Sequence, residues 1–189
     1  PADARQYADP VGHDCRFEAE WLRNSGLFVG EQIGGNSCFY PEKTVSREEF
    51  LTMLIKVLDI PTDGNSQVEL PASTPQWLKP YLAAAQRSGL TASLPSENTM
   101  TDPITGAEVA VMLQNALDLT VSAQALTDTL YNEEDVPTWA YSSLTVMAEN
   151  GVALDANAPM TRAEVAKTLY QIYQIAPEAP GMAVFRMQK

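Results

Sequence analysis

Three segments of the chain begin a helix in the same way, and this repetition constrains the fold more than any other feature. The segments are TVSREEFLTMLIKVLDI (44–60), PITGAEVAVMLQNALDL (103–119) and PMTRAEVAKTLYQIYQI (159–175). When they are aligned, a serine or threonine is followed three residues later by glutamate in every copy. A repeat of roughly 60 residues indicates that one structural unit occurs three times along the chain.

Each copy has the pattern of a capping box. The serine or threonine is the predicted N-cap, and the glutamate three residues later is the predicted structural cap. These pairs are Ser46 with Glu49, Thr105 with Glu108, and Thr161 with Glu164. In a capping box the hydroxyl accepts from a first-turn N–H and the carboxylate accepts from the N-cap N–H, so two otherwise unpaired donors are satisfied. Apolar residues flank each box and continue at helical spacing, which predicts three amphipathic helices.

A shorter helical pattern precedes two of these segments, at 74–90 and 136–152. Trp77 stands before Gly89 at the same spacing as Trp139 before Gly151, and both glycines occupy the position of a left-handed residue that ends a helix. In the first copy the equivalent stretch keeps Gly26, but its tryptophan lies closer to that glycine. Pro80 falls inside the second copy, where proline should kink the helix or shorten it so that it starts nearby.

The length and these patterns predict one domain of the all-α class. The 189 residues, 45% of them hydrophobic, are enough for a single compact core. We expect residues 1–189 to form one domain of three helix–loop–helix repeats, at about 10–60, 70–119 and 134–175. The tail, residues 176–189, starts as a proline-rich linker. That tail is compatible with further fused domains in the full-length protein.

Charge and composition exclude several classes of partner. With 24 acidic and 12 basic residues the formal net charge is -12, which argues against nucleic acid. No apolar run approaches the roughly 20 residues that span a bilayer, so we expect no membrane insertion. One histidine and two cysteines without a CxxC motif cannot supply the usual zinc ligands. We therefore expect no metal and no cofactor.

The two cysteines, Cys15 and Cys38, leave two alternatives. A disulfide between them would stabilise the fold by roughly 3 kcal/mol on the chain-entropy estimate and would indicate an extracellular setting. Alternatively, both are free thiols buried as small apolar side chains. We favour the disulfide.

No recognised catalytic motif is present in the sequence. The chain has no nucleophile elbow, P-loop or dinucleotide-binding fingerprint, and His13 beside Asp14 has no evident nucleophile partner. A pair of carboxylates of the kind that glycosidases use stays open, because 24 acidic residues always allow some pair. We expect no catalytic residue and no enzyme.

Together the three copies resemble the S-layer homology domains that attach surface proteins to bacterial cell walls. MTRAEVA is the closest match to the family motif, VSREEF with FYP (39–41) is a variant, and ITGAEVA departs from it by lacking the arginine. The resemblance covers roughly residues 10 to 175. It implies a pseudo-three-fold spindle or prism of helices with grooves between neighbouring units. It also implies an extracellular place on a Gram-positive cell surface or wall, and an anionic ligand: secondary cell-wall polysaccharide, typically carrying a terminal pyruvate ketal.

The resemblance gives a function to an arginine that folding alone would not favour. Arg162, and Arg47 at the equivalent position, begin their helices, where the helix dipole disfavours a cation by roughly 0.3 to 1 kcal/mol. An anion bound there would meet a guanidinium group, the free N–H groups of the first turn and the dipole together. Gly106 takes this position in the second copy and supplies donors without charge. We therefore predict at most two competent grooves.

Seven residues are predicted to contribute to glycan binding. They are Arg47, Arg162, Ser46, Thr161, Gly106, Trp77 and Trp139. The hydroxyl groups among them would serve as caps and also face ligand, and the resemblance implies that the two tryptophans lie near the grooves.

Two other interpretations stay open. Each arginine could simply pair with a nearby carboxylate in a chain with this acidic excess, and surface pairs of that kind contribute little to stability. The whole chain could also be a protein-protein interaction scaffold that keeps an S-layer-homology-like fold and has lost glycan binding. The missing arginine at Gly106 and the altered first copy favour that alternative.

Overall fold

The computed structural model describes residues 7–9, 12–63, 68–95 and 99–178. The predicted start of the first repeat, residues 10 and 11, and most of the predicted tail 176–189 lie outside the described residues. The elements in chain order are α1 (Arg16–Asn24), β1 (Glu31–Ile33), β2 (Asn36–Cys38), α2 (Arg47–Val57), α3 (Lys79–Arg87), α4 (Gly106–Leu117), α5 (Ala123–Thr127), α6 (Tyr141–Glu149), α7 (Arg162–Ile175) and a 3-10 turn (Ala176–Glu178).

The prediction of an all-α spindle is wrong, because the loop between α1 and α2 contains an antiparallel hairpin. β1 pairs with β2 in a register that places Glu31 opposite Cys38. The connection is Gly34 and Gly35, both at positive φ (56° and 84°). Two residues at positive φ form the tight turn that matches the twist of a hairpin. The fold is therefore mixed α and β.

The three long helices α2, α4 and α7 each begin at a capping box. At α2 the Ser46 hydroxyl accepts from the Glu49 N–H at 3.2 Å, and the Glu49 carboxylate accepts from the Ser46 N–H at 3.3 Å. The same reciprocal bonds join Thr105 with Glu108, and Thr161 with Glu164. The start of each helix is thus determined by residues within four positions of it.

Replacing Ser46 by alanine should lower the free energy of unfolding by about 1 kcal/mol, because the Glu49 N–H loses its acceptor. Urea denaturation measures the change. Ser46→Thr is the matched control, since it keeps the hydroxyl that Thr105 and Thr161 supply in the other copies. An equal loss in the alanine and threonine variants would contradict a capping role.

The shorter helices confirm two local predictions. α3 begins at Lys79 with Pro80 at its second position, so the proline marks the start of the helix as the sequence indicated. Gly26, Gly89 and Gly151 follow α1, α3 and α6 at positive φ (69°, 68° and 84°), the left-handed conformation predicted for the end of each helix.

Most helices are short. Among the described residues the longest helix, α7, has 14 residues, and the connector between α4 and α6 contains a helix of only five, α5, capped by the Ser122 hydroxyl. Within the part of the chain that the structure describes, no helix combines the length and the apolar character that crossing a membrane requires.

Three backbone hydrogen bonds join the starts of α2, α4 and α7 in a closed ring. Val45 N donates to Met160 O at 3.0 Å, Met160 N to Ile104 O at 2.9 Å, and Ile104 N to Val45 O at 2.9 Å. All three side chains are buried in the main hydrophobic core. The apolar residue in front of each capping box therefore has two functions, since it contributes to the core and holds the three helix starts together.

The shorter helices pack against the long ones in a cyclic order. α3 packs against α2, α6 packs against α4, and α1 packs against α7. In each of the first two pairs the short helix comes after the long helix along the chain. The third pair joins the first helix, α1, to the last long helix, α7. Packing therefore crosses the predicted repeat boundaries, and those boundaries remain a prediction.

The predicted disulfide between Cys15 and Cys38 is absent, and both cysteines are free. Cys15 is the N-cap residue of α1 and is fully buried, and this burial raises the pKa of its thiol to about 11. Cys38 ends β2, is half-buried and hydrogen-bonds with the Tyr40 side chain. For Cys15, the alternative of a small buried apolar side chain is therefore correct.

Candidate functional site

The first residue of each long helix contacts the loop of another copy, and these three contacts are called seams here. At the α7 seam, Arg162 meets residues 31–43. At the α2 seam, Arg47 meets residues 99–108, and at the α4 seam, Gly106 meets residues 155–158. The two predicted arginines thus lie at seams, which are the places where a groove between units was expected.

At the α7 seam Arg162 is buried and held by three neighbours. Its side chain is only 6% exposed. Nη1 donates to Phe39 O at 2.8 Å, Nη2 donates to Glu31 Oε1 at 2.9 Å, and the guanidinium carbon lies 4.8 Å from the centre of the Phe28 ring. Nε has no hydrogen-bond partner among the described residues. A charge this buried requires a counter-charge, and Glu31 supplies it.

Glu31 bridges two cations. The same oxygen, Oε1, that accepts from Arg162 also lies 2.5 Å from Lys43 Nζ. The hydrogen bond from Lys43, and then that from Arg162, hold the pKa of Glu31 below its usual value. Glu31 and Lys43 are 37% and 54% exposed, and with Tyr40 and Glu42 they line an open cavity of about 490 Å³. This seam is therefore a charged site that solvent reaches.

The hairpin holds Glu31 in place through a glycine. Gly30 directly precedes β1 at a φ of 71°, and a Cβ atom there would lie 2.4 Å from Cys38 O. Only glycine combines that backbone conformation with so close an approach. Gly30 therefore fixes where the strand starts and which way the next residue, Glu31, leaves the backbone.

At the α2 seam Arg47 is tied to a buried carboxylate. Its Nε donates to Glu108 Oε1 at 2.8 Å, its Nη1 donates to Thr99 O at 2.9 Å, and Asp102 lies 3.8 Å from Nη1. The Arg47 side chain is 13% exposed. Glu108 also accepts from Thr105 N, so one carboxylate caps α4 and pairs with the first residue of α2.

The α4 seam is closed by backbone. A Cβ atom at Gly106 would lie 2.0 Å from Asp155 O and 2.8 Å from the Asp155 carbonyl carbon. Gly106 N donates to Ala158 O at 3.3 Å, which holds the loop against the helix. The missing arginine thus has a steric cause, because no side chain fits between α4 and this loop.

The N–H groups that we expected to be free for an anion are already bonded. At α7 the first two amides, from Arg162 and Ala163, donate to Lys43 O and Pro41 O at 2.8 and 2.9 Å. The corresponding amides of α2 and α4 also donate to the facing loops. The prediction of free first-turn donors is therefore wrong, because the neighbouring loop satisfies them. Any anion at a seam would have to bind side chains.

The remaining predicted residues lie at helix starts. The hydroxyl groups of Ser46 and Thr161 accept from the Glu49 and Glu164 N–H groups, as caps do. Trp77 and Trp139 are both exposed, in the turns that precede α3 and α6.

Comparison with known proteins gives consistent relatives over most of the chain. Over 165 residues it is 23% identical to an S-layer protein of Bacillus thuringiensis subsp. finitimus, an alignment that covers 84% of this chain and 20% of that protein. It is 22% identical over 164 residues to the S-layer protein sap of Bacillus anthracis, which covers 84% of this chain and 20% of the relative. For the S-layer protein EA1 of the same species the identity is 23% over 165 residues, with 84% and 19% covered. Over most of its length this chain is similar to S-layer proteins.

The chain spans about a fifth of the length of the curated relatives it matches. No protein-family model matches it. The resemblance read from the three capping segments is confirmed by these relatives at low identity.

Two residues of the seams, and a second role of a third residue, were not predicted from the sequence. Glu31 and Lys43 complete the charge cluster at Arg162, and Glu108 pairs with Arg47 besides capping α4. The sequence held a local signal for the hairpin that carries Glu31, because a Gly-Gly pair between short polar and apolar stretches is typical of a hairpin turn. No local signal links Glu31 to Arg162, which lies 131 residues further along the chain.

Proposed function

We propose that this chain attaches a surface protein non-covalently to a bacterial cell wall by binding an anionic secondary cell-wall polysaccharide. The observation that carries the proposal is the α7 seam, where Arg162 and Lys43 converge on one carboxylate oxygen beside an open cavity. A pair of cations that holds a carboxylate of the protein can hold a carboxylate of a ligand with the same geometry.

The relatives support the same function. They are S-layer proteins, and the match extends over 84% of this chain. An association with the cell surface and wall, outside the cell, follows from that kinship. We infer a binding role without catalysis.

The seams differ in what they offer a ligand. The α7 seam has two cations and an open cavity. The α2 seam has Arg47, which Glu108 and Thr99 already engage. The α4 seam has no side chain at Gly106, so we propose at most two binding seams. The exposed rings of Trp77 and Trp139 are available to pack against sugar rings.

Co-sedimentation with protein-free Gram-positive sacculi tests the proposal. We expect the wild-type chain to pellet with sacculi from at least one source, and to stay in solution when the secondary polymer has been stripped from the same sacculi. An Arg47→Lys/Arg162→Lys variant keeps the charges but loses the two-pronged guanidinium geometry, and should bind roughly tenfold more weakly.

Arg16→Lys is the matched control, because Arg16 is exposed on α1 and is not one of the residues that form the seams. Thermal unfolding of each variant shows whether it is folded. A folded wild-type chain that binds no sacculi from several sources would overturn the proposal and favour a protein-protein interaction scaffold. Binding that survives removal of the polymer would also exclude the polysaccharide as the ligand.

A further inference from the structure

We propose that Glu31 determines specificity at the α7 seam by occupying the anion position until a ligand anion replaces it. This inference rests on the proposed function and names what the ligand must do there. The ligand must carry an anionic group that can accept hydrogen bonds from Arg162 and Lys43 together. A neutral glycan would not compete with the Glu31 carboxylate.

The first support is the geometry of the carboxylate. A single oxygen of Glu31 lies 2.9 Å from Arg162 Nη2 and 2.5 Å from Lys43 Nζ. Both cations therefore converge on one point, and two of the three residues that meet there, Glu31 and Lys43, line the open cavity together with Tyr40 and Glu42. A ligand carboxylate would need to place one oxygen there.

The second support is that Arg162 does not depend on Glu31 alone for its position. Arg162 is held by Phe39 O, at 2.8 Å from Nη1, and by the Phe28 ring. The Lys43 backbone is held on both sides, since its N–H donates to Tyr40 O and its carbonyl accepts from Arg162 N. Arg162 is thus preorganised and would stay in place when the glutamate leaves, and the fixed Lys43 backbone keeps the base of the lysine side chain at the site.

The third support is the exposure of Glu31. Its side chain is 37% exposed, whereas that of Arg162 is 6% exposed. A change of Glu31 side-chain torsions can move the carboxylate into solvent while the backbone pairing of β1 with β2 is kept. Displacement therefore requires no unfolding of the hairpin.

The test compares the variants Glu31→Gln and Glu42→Gln in the co-sedimentation assay, with sacculi that carry their secondary polymer. Glu31→Gln removes the internal competitor, and we expect it to bind about fivefold more tightly than wild type, the size of bias that a partly exposed ion pair exerts. Glu42→Gln makes the same charge change on the same cavity, but Glu42 pairs with His13 and not with either cation. It should stay within about twofold of wild type, because only the overall charge has changed.

The outcomes separate the inference from the proposed function. If wild type binds and Glu31→Gln binds no better than Glu42→Gln, the inference is overturned and the anchoring function stands. If no folded variant binds, both fail. Thermal unfolding of each variant checks the fold, and where Glu31→Gln does not fold, Glu31→Asp takes its place, with Glu42→Asp as its control. The shorter aspartate cannot reach both cations, so it should also bind more tightly than wild type, and equal binding would overturn the inference.

Discussion

Replacing Gly106 by alanine should lower the free energy of unfolding by about 3 kcal/mol. The added methyl group would lie 2.0 Å from Asp155 O, and that oxygen belongs to backbone rather than to a side chain that could rotate away. Either the loop or the start of α4 must move, which weakens the bonds from Gly106 N to Ala158 O and from Ala107 N to Ala156 O. Overpacking against a fixed backbone has costs of this size. Urea denaturation at neutral pH measures the change.

Gly89→Ala separates the steric effect from backbone strain. Gly89 has a positive φ of 68° but open space where its Cβ would be, so alanine there should cost only about 1 kcal/mol. Gly106→Arg would restore the family motif in the second copy, yet we expect it to destabilise the protein at least as much as alanine. If Gly106→Ala and Gly89→Ala lower the free energy of unfolding equally, the loop at Asp155 does not approach α4 closely enough to exclude a side chain.

Replacing Arg162 by alanine should cost about 3 kcal/mol, because it removes a buried side chain and the donor of a buried carbonyl. Phe39 O loses a donor, the ring of Phe28 loses its cation, and Glu31 loses one of its two partners. Domains of this size are stable by only about 5 to 15 kcal/mol, so the variant is expected to be close to unfolding. The measurement is the midpoint and slope of urea denaturation followed by circular dichroism.

Lys43→Ala is the matched control, since Lys43 pairs with the same carboxylate from a position that is 54% exposed. It should cost no more than about 1 kcal/mol. Similar losses in the free energy of unfolding of Arg162→Ala and Lys43→Ala would mean that burial does not increase the contribution of Arg162 to stability. Because truncation of Arg162 endangers the fold, a loss of wall binding in an alanine variant would not identify a ligand contact, and lysine is the more informative replacement.

Features encoded within a few residues could be predicted from the sequence. The capping boxes at Ser46, Thr105 and Thr161 are local, because hydroxyl and carboxylate lie three residues apart and act on the same helix turn. The left-handed glycines and the start of α3 at Pro80 are local for the same reason. The hairpin is also encoded locally, in EQIGGNSC, and it is the element that the all-α prediction lacks.

Features that depend on distant parts of the chain could not be predicted. Arg162 was predicted to meet a ligand in a groove between units, yet residues 31–43 bury it. Gly106 was understood as a lost arginine, whereas the close approach of Asp155 explains it. In both cases the neighbour that determines the contact comes from another copy. The sequence of a single copy does not specify the order in which the copies pack.

The ring of bonds among Val45, Ile104 and Met160 has a consequence for biosynthesis. Its last member, Met160, lies 115 residues beyond Val45, and Arg162 reaches back 123 residues to Phe39. A ribosome adds about 5 to 20 residues each second, so the first copy emerges several seconds before the partner that completes it. During that interval the Val45 N–H lacks its acceptor, Met160 O, and Phe39 O lacks its donor, Arg162. Contacts of such long range also slow folding after release, and those between the first copy and the third can form only after the third copy has been made.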